Sequence, residues 1–172
     1  MEGRELLLLR HGKSSWDSDA ATDFDRPLAK RGKRDAPRIG KWLKSEDLGP
    51  GLIVSSPAKR TRQTSRRVAR ALDLDPEAIL YEERIYDGGM RDVLDILAEC
   101  DPRFRRVLLT GHNPTLETLV SYLDGSATSA FKAEKFFPTC ALAWFRMPED
   151  WGELGPACAS LVHLVRPREL SS

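Results

Sequence analysis

Cysteine is scarce in this chain, and the few cysteines are far apart. Cys100, Cys140 and Cys158 are the three in 172 residues, and none belongs to a Cys-x-x-Cys pair or a cluster with histidine. Such an odd, scattered set implies no disulfide framework, and it offers no ligand spacing for a zinc site. We therefore expect a cytoplasmic protein without a structural metal.

Long apolar runs and an excess of charge of one sign are also missing. No run approaches the length of a transmembrane helix, and residues 1–5 lack the features of a secretory signal. Lys and Arg total 27 against 26 for Asp and Glu, a formal net charge of +1. This balance argues against a nucleic-acid-binding protein with a broad basic surface. We expect neither a membrane nor a nucleic acid as partner.

The remaining composition is that of an ordinary soluble globular protein, with 41% hydrophobic and 31% charged residues. The length allows one domain with a sizeable core. The sequence contains no internal repeat, low-complexity tract or linker. We therefore expect a single domain over residues 1–172.

Apolar strands alternate along the chain with segments of helical periodicity. Strands are predicted at residues 5–10, 52–55, 78–81, 106–110, 140–146 and 159–165. Helices are predicted within residues 28–48, from Ser56-Pro57 to Leu72, around residues 93–97, and from Asn113-Pro114 to Leu123. Loops are predicted at residues 14–27 and 82–89, and residues 126–139 are ambiguous. This order predicts an α/β three-layer sandwich, with a mostly parallel central sheet and helices on both faces.

The first of these helices contains a proline in an awkward position. Pro37 is poorly tolerated inside a helix, but it is well suited to the first turn. We therefore expect the regular helix to begin near Asp35. The basic run Lys30–Arg34 before it could be a docking patch for an acidic partner, although a solvated helix start is the simpler account.

Charged and imidazole side chains follow three of the predicted strands. Arg10-His11-Gly12 ends the first strand, Arg60 lies in the helical turn after the second, and His112 follows the fourth. Ligands bind at the carboxyl ends of strands in parallel sheets, where these side chains would converge. Because the arginine fork matches the oxygens of a phosphate, the pattern predicts a phosphate site.

This set of residue types favours phosphoryl transfer through a covalent intermediate. A neutral imidazole is a good nucleophile at pH 7, so His11 would attack phosphorus and form a phosphohistidine. Arg10, Arg60 and His112 would stabilise the charge of the transition state. No metal or other cofactor is required.

Three further residues are weaker candidates for the site. A leaving group of high pKa needs a proton donor, and the best-placed carboxyl groups follow the third strand, in residues 81–86. Ser14 either donates to the phosphate or caps a turn. Asn113 is expected to be a helix cap first and a pocket donor second.

The ordered set of motifs resembles the histidine phosphatase superfamily, whose mark is Arg-His-Gly at the end of the first strand. The likeness is greatest to the small SixA-like phosphohistidine phosphatases, and it covers about residues 6–120. The blocks that carry it are Arg10–Trp16, Asp25-Arg26-Pro27-Leu28 with Arg31-Gly32, Ser55–Thr64 and Gly111–Pro114.

The resemblance implies a phosphoglycerate mutase-like fold and a role for each matching residue. His11 would be the nucleophile, Arg10 and Arg60 the phosphate clamps, and His112 the second pocket histidine. Glu83 begins a segment similar to the Glu-Arg-His-Tyr of the mutase branch, which makes it a better candidate for the acid than Glu82. A surface ion pair explains Glu83 equally well.

Asp17 departs from the mutase branch, which has an asparagine at this position. A carboxylate facing a phosphate would repel it, so we expect Asp17 to turn away from the site or to serve another purpose.

The chain lacks the long insertions of the mutases, which predicts an open pocket. The favoured substrate is a phosphohistidine on a protein. A small phosphate ester is the alternative within enzymes, and a non-catalytic phosphate-binding module is the alternative outside them. Pure binding would need the arginines but not a nucleophile, so His11 favours the enzyme.

Overall fold

A six-stranded sheet forms the centre of the molecule. The computed structural model describes residues 3–125 and 136–170. The strands are β1 (Arg4–Arg10), β2 (Leu52–Ser55), β3 (Leu80–Tyr81), β4 (Arg106–Gly111), β5 (Leu142–Met147) and β6 (Ser160–Val165). Their order across the sheet is β3-β2-β4-β1-β5-β6. The first four strands in sequence are parallel, while β5 is antiparallel to both β1 and β6.

Helices pack on both faces of this sheet, which confirms the predicted three-layer architecture. They are α1 (Lys30–Ser45), α2 (Lys59–Ala71), α3 (Glu83–Asp87), α4 (Met90–Glu99) and α5 (Thr115–Leu123). One face carries α1 and α2, and the other carries α4 and α5. In the described part of the chain, no helix has the length and apolarity needed to cross a membrane.

The four leucines of β1 explain why this strand is central. Leu6 and Leu8 belong to the core under α4 and α5, whereas Leu7 and Leu9 belong to the core under α1 and α2. All four side chains are fully buried. A strand buried on both faces needs a continuous apolar run, because alternate residues point to opposite sides of the sheet.

The first helix starts earlier than its proline suggested. Helix α1 begins at Lys30, so the predicted start near Asp35 is wrong and Pro37 lies inside the helix. The backbone N–H of Ala29 donates to the carbonyl of Lys13 at 2.8 Å, which anchors the helix start to the loop after β1. A proline inside a helix removes one backbone hydrogen bond, and here tertiary contacts outweigh that loss.

The loop predicted at residues 82–89 contains the short helix α3, and this prediction is therefore wrong in part. Ile85 of α3 is buried in the core with α4 and α5. One apolar residue in a polar stretch gives no helical period in the sequence, so only tertiary packing identifies this turn as helical. The ambiguous segment is described only from residue 136, and residues 126–135 lie outside the described part of the chain.

Candidate active site

The carboxyl ends of three parallel strands meet at one edge of the sheet. Arg10 at the end of β1 is in register with Gly111 at the end of β4, and Ser55 of β2 is in register with Thr110. The residues that follow these positions include His11 and His112, whose ring centroids lie 5.2 Å apart. The convergence predicted from the sequence is therefore present.

His11 is buried, and one of its ring nitrogens is fixed by its own neighbour. Its Nδ1 lies 2.7 Å from the carbonyl oxygen of Gly12. A carbonyl only accepts, so Nδ1 carries the proton and Nε2 carries the lone pair. Burial is the main cause that lowers the pKa of His11 to about 3. The hydrogen bond to the Gly12 carbonyl opposes this shift, and the nearby His112, Arg60 and Arg10 add to it. The imidazole is therefore neutral, and the lone pair of Nε2 is free.

Two contacts fix the loop that carries His11. The backbone N–H of Gly12 donates to Thr64 Oγ1 of α2 at 3.0 Å. A Cβ on Gly12 would lie 2.9 Å from the Cα of Gly32 in α1, and a Cβ on Gly32 would lie 2.4 Å from the carbonyl oxygen of Lys13. The two glycines thus let helix α1 approach the loop that carries His11 more closely than any side chain would allow.

Arg10 and Arg60 are buried or half-buried and lie beside His11. Arg10 donates to the carbonyl of Phe137 at 3.2 Å. Arg60 donates to the backbone carbonyl of Asp23 at 2.8 Å and to its carboxylate at 3.1 Å. Each arginine is therefore oriented by one loop of the chain.

His112 is held on the other side of the site by hydroxyl groups. Its Nε2 lies 2.7 Å from Ser56 Oγ and 3.4 Å from Thr61 Oγ1 of α2. Burial and the nearby Arg60 and Arg10 lower the pKa of His112 to about 4, although Asp23 opposes this. Both imidazoles of the site are therefore neutral at pH 7.

Asp23 enters the site from the long loop between β1 and α1. Its carboxylate accepts hydrogen bonds from Arg60, from Arg26 at 3.1 Å and from the hydroxyl of Tyr86 at 3.0 Å. Partial burial alone would raise the pKa of the Asp23 carboxyl, but the bonds from Tyr86, Arg26 and Arg60 outweigh it and lower the pKa to about 2. Asp23 is consequently an anion at pH 7.

These side chains line one open cleft of about 540 Å³. Trp16 is 75% exposed at the cleft, and the guanidinium carbon of Arg26 lies 3.7 Å from the centre of its ring. Ser14 is buried in the wall, where its Oγ accepts a hydrogen bond from Arg26. The described lining residues are Arg10, His11, Lys13, Ser14, Trp16, Asp23, Arg26, Arg60, Tyr86, His112, Asn113 and Thr139.

Known proteins are similar to this chain in sequence and in fold. The model of the histidine phosphatase superfamily (branch 1) matches residues 6–85. An uncharacterised protein of Mycobacterium tuberculosis is 34% identical, with 93% of this chain and all of the relative covered. A structure of the Agrobacterium tumefaciens protein assigned as phosphohistidine phosphatase SixA has a TM-score of 0.80 at 29% identity, covering 97% of this chain and all of that one.

The chain belongs to the histidine phosphatase superfamily. A second SixA structure, from Nakamurella multipartitia, is similar, with a TM-score of 0.77 at 27% identity over 95% of this chain and 96% of that one. The resemblance drawn from the sequence motifs, including its SixA-like character, is thereby confirmed.

The predicted acid of this histidine phosphatase, Glu83, lies outside the described lining of the cleft. Glu83 is exposed at the first turn of α3 and is not among the described residues that line the cleft. Glu82, the alternative, forms an ion pair with Arg84 at 2.7 Å. Tyr86, three residues after Glu83, reaches the cleft instead. Among the described lining residues, Asp23 is the one carboxylate.

Asn113 lies in the cleft, but its amide nitrogen is already used. It donates to Glu117 at 2.7 Å and to the carbonyl of Phe137 at 2.9 Å. The oxygen that remains can only accept, so Asn113 does not donate to a phosphate in this arrangement. The expected helix cap is also wrong, because α5 begins at Thr115 with Pro114 before it. Asn113 instead positions the Phe137 carbonyl that Arg10 also binds.

Sequence reasoning missed Asp23, Arg26 and Tyr86 as site residues. Arg26 stood in one of the motif blocks without a role, and Asp23 lies in the loop predicted at residues 14–27. The signal for both was therefore the position of a polar loop directly after the strand that ends in Arg10-His11. Asp17 is exposed and is not among the described lining residues, as its charge predicted.

Several buried polar atoms of the described residues have no partner, and most of them belong to this cleft. They are Arg10 Nε, Arg26 Nε, Arg60 Nε, Thr110 Oγ1, His112 Nδ1 and Asn113 Oδ1. All of these residues except Thr110 line the cleft. Buried polar groups in native proteins are nearly always paired, so the three unpaired arginine Nε–H donors gathered at this cleft fit an anionic ligand.

Proposed function

We propose that this histidine phosphatase removes the phosphoryl group from phosphohistidine on proteins, through a covalent intermediate on His11 and without a metal ion. The membership in the superfamily supports a phosphatase. The phosphohistidine substrate is our inference from the chemistry of the cleft.

In the first step Nε2 of His11 attacks phosphorus. The bond between phosphorus and the leaving nitrogen breaks, and its electron pair stays on that nitrogen. The substrate ring, protonated from solvent on its other nitrogen, thereby leaves as neutral imidazole. The Nδ1–H of His11 donates to the Gly12 carbonyl, so the positive charge that develops on the ring is stabilised where it forms. Arg10, Arg60 and His112 surround the phosphoryl oxygens.

In the second step water attacks the phosphoryl group on His11. The bond between phosphorus and Nε2 breaks, its electron pair returns to the imidazole, and inorganic phosphate leaves. The low pKa of His11 favours this release, because a weakly basic imidazole is a good leaving group and departs in its neutral form.

The choice of substrate rests on the state of the carboxylate in the cleft. Asp23 is ionised and held by three donors, so it cannot give a proton to a leaving group at neutral pH. An alkoxide leaving group needs such an acid, whereas a phosphohistidine ring that solvent has protonated on its other nitrogen leaves as neutral imidazole. The described cleft therefore favours a P–N bond over an alkyl phosphate ester.

The test compares leaving groups in the presence of EDTA. We expect phosphohistidine peptides and p-nitrophenyl phosphate to be hydrolysed, alkyl phosphates to be hydrolysed at least about 100-fold more slowly, and His11→Ala to be inactive on all of them. Equal rates on alkyl phosphates would favour the alternative of a small-molecule phosphomonoesterase. Phosphate binding without turnover would instead indicate a binding module.

A further inference from the structure

A second, strongly basic groove adjoins the catalytic cleft. It encloses about 250 Å³ between the first half of α1 and the end of the chain. We call it the arginine groove, and its lining residues are Arg31, Arg34, Asp35, Arg38, Pro138, Thr139, Arg166, Pro167 and Arg168. We propose that it binds an acidic segment of the phosphoprotein substrate, an inference that rests on the proposed function.

The arginine groove is continuous with the catalytic cleft. Thr139 lines both, and Arg31 donates to its hydroxyl oxygen at 3.3 Å. Arg31 also directly precedes Gly32, which lies against Gly12 of the nucleophile's loop. A substrate protein could therefore place its phosphorylated residue in the cleft and an adjoining segment in the groove.

The groove concentrates positive charge in a chain that is nearly neutral. Five arginines line it against the single carboxylate of Asp35, while the whole chain has a net charge of +1. Asp35 is buried and lies 3.5 Å from both Arg34 and Arg38, which leaves two arginines sharing one anion. Such a local excess of positive charge attracts anions and accelerates their association with the protein.

Two of these arginines have no acidic partner among the described residues. Arg31 and Arg168 are exposed, and neither forms an ion pair with the part of the chain that the structure describes. Arg166 is committed to the protein, because it donates to the Phe136 carbonyl at 2.9 Å and lies 3.8 Å from Glu169. Arg31 and Arg168 are therefore the groove's two most available cations.

The wall between the cleft and the groove is fixed at both ends. Arg166 holds the carbonyl of Phe136, and Arg10 and Asn113 hold the carbonyl of Phe137. The two prolines, Pro138 and Pro167, add stiff surfaces on either side. A groove with a fixed wall and with the forked donors of Arg31 and Arg168 suits the carboxylates of a protein segment that extends beyond the cleft. A small ester confined to the cleft has no group that reaches the groove.

The test reverses the charges of the groove and of a matched pair elsewhere. Arg31→Glu/Arg168→Glu is compared with Arg70→Glu/Arg103→Glu, which changes the net charge equally. Arg70 lies in the last turn of α2 and Arg103 precedes β4. Both therefore lie towards the amino ends of the parallel strands, opposite the catalytic cleft. One measurement is the fluorescence anisotropy of a labelled, glutamate-rich peptide, and the other is kcat/KM for an acidic phosphohistidine protein and for p-nitrophenyl phosphate.

We expect the groove variant to weaken peptide binding and to lower kcat/KM for the protein by about tenfold at low ionic strength, with p-nitrophenyl phosphate turnover unchanged. The matched variant should change each quantity by less than about twofold, and added salt should narrow the difference. Equal effects of the two variants would overturn the proposed role of the groove. Tighter binding of inorganic triphosphate than of the peptide at these arginines would also overturn it. If the peptide binds through the groove but the enzyme hydrolyses no phosphohistidine protein, the proposed function is overturned and the binding role of the groove is retained.

Discussion

The carboxylate and the backbone carbonyl of Asp23 both accept hydrogen bonds from the guanidinium of Arg60, at 3.1 and 2.8 Å. Asp23 therefore occupies donors that a phosphate would use. Because its pKa is lowered to about 2, this carboxylate is an anion at neutral pH. Phosphate must compete with it for Arg60.

Asp23→Asn should strengthen the binding of anions in the cleft. Removing the competing charge is expected to lower the inhibition constant of inorganic phosphate by about tenfold, the effect of one charge-assisted contact. Inhibition of p-nitrophenyl phosphate hydrolysis measures this directly. Asp25→Asn, in the same short 3-10 helix, serves as the control because its carboxylate is bonded to Thr22. Weaker phosphate binding in Asp23→Asn would show that Asp23 helps to organise the phosphate site instead.

Glu83→Gln should leave catalysis nearly unchanged. Glu83 is exposed and is not among the described residues of the cleft, so its loss should alter kcat by less than about twofold for both p-nitrophenyl and alkyl phosphates. Steady-state kinetics on the two substrates checks this. A large loss confined to alkyl phosphates would restore Glu83 as the general acid.

The sequence predicted best what short-range patterns and topology determine. Leu6–Leu9 is a buried strand in any context, and the parallel order of β1, β2 and β4 brings Arg10, Arg60 and His112 to one edge. The path of the loop at residues 14–27 is set by distant partners, such as Gln63, which accepts the N–H of Leu28. No local pattern could therefore place Asp23 on Arg60. The position of Glu83 outside the described cleft has a similar origin, because α3 packs on the core through its buried Ile85.

The buried imidazole of His11 should make stability depend on pH. Its pKa is about 3 in the folded protein and about 6.5 in the unfolded chain, so the unfolded state binds more protons between these values. The stability that the neutral imidazole contributes is fully present above pH 6.5. It is lost as the pH falls towards 3, and the free energy of unfolding falls by up to about 1.4 kcal/mol per pH unit. Urea unfolding at several pH values in this window measures the slope. His11→Gln should have a shallower slope, and an equal slope in the two proteins would exclude His11 as the cause.

Gly32→Ala should lower both stability and activity. The new methyl group would lie 2.4 Å from the carbonyl oxygen of Lys13, so the loop that carries His11 must move. We expect a loss of about 2 kcal/mol in the free energy of unfolding and a fall in kcat of at least about tenfold. Gly49→Ala is the matched control, because a Cβ at that position meets nothing within 4 Å. If both variants behave like the parent, the close contact between α1 and the loop is not required.

The covalent step on His11 is the centre of the account, and rapid acid-free quenching of the enzyme with radiolabelled phosphoramidate tests it most directly. His11 has a free Nε2 and a proton fixed on Nδ1, so we expect label on the protein that is stable in alkali, labile in acid and mapped to His11. His11→Ala should carry none and should be inactive. Label on another residue, or turnover that survives His11→Ala, would contradict the mechanism.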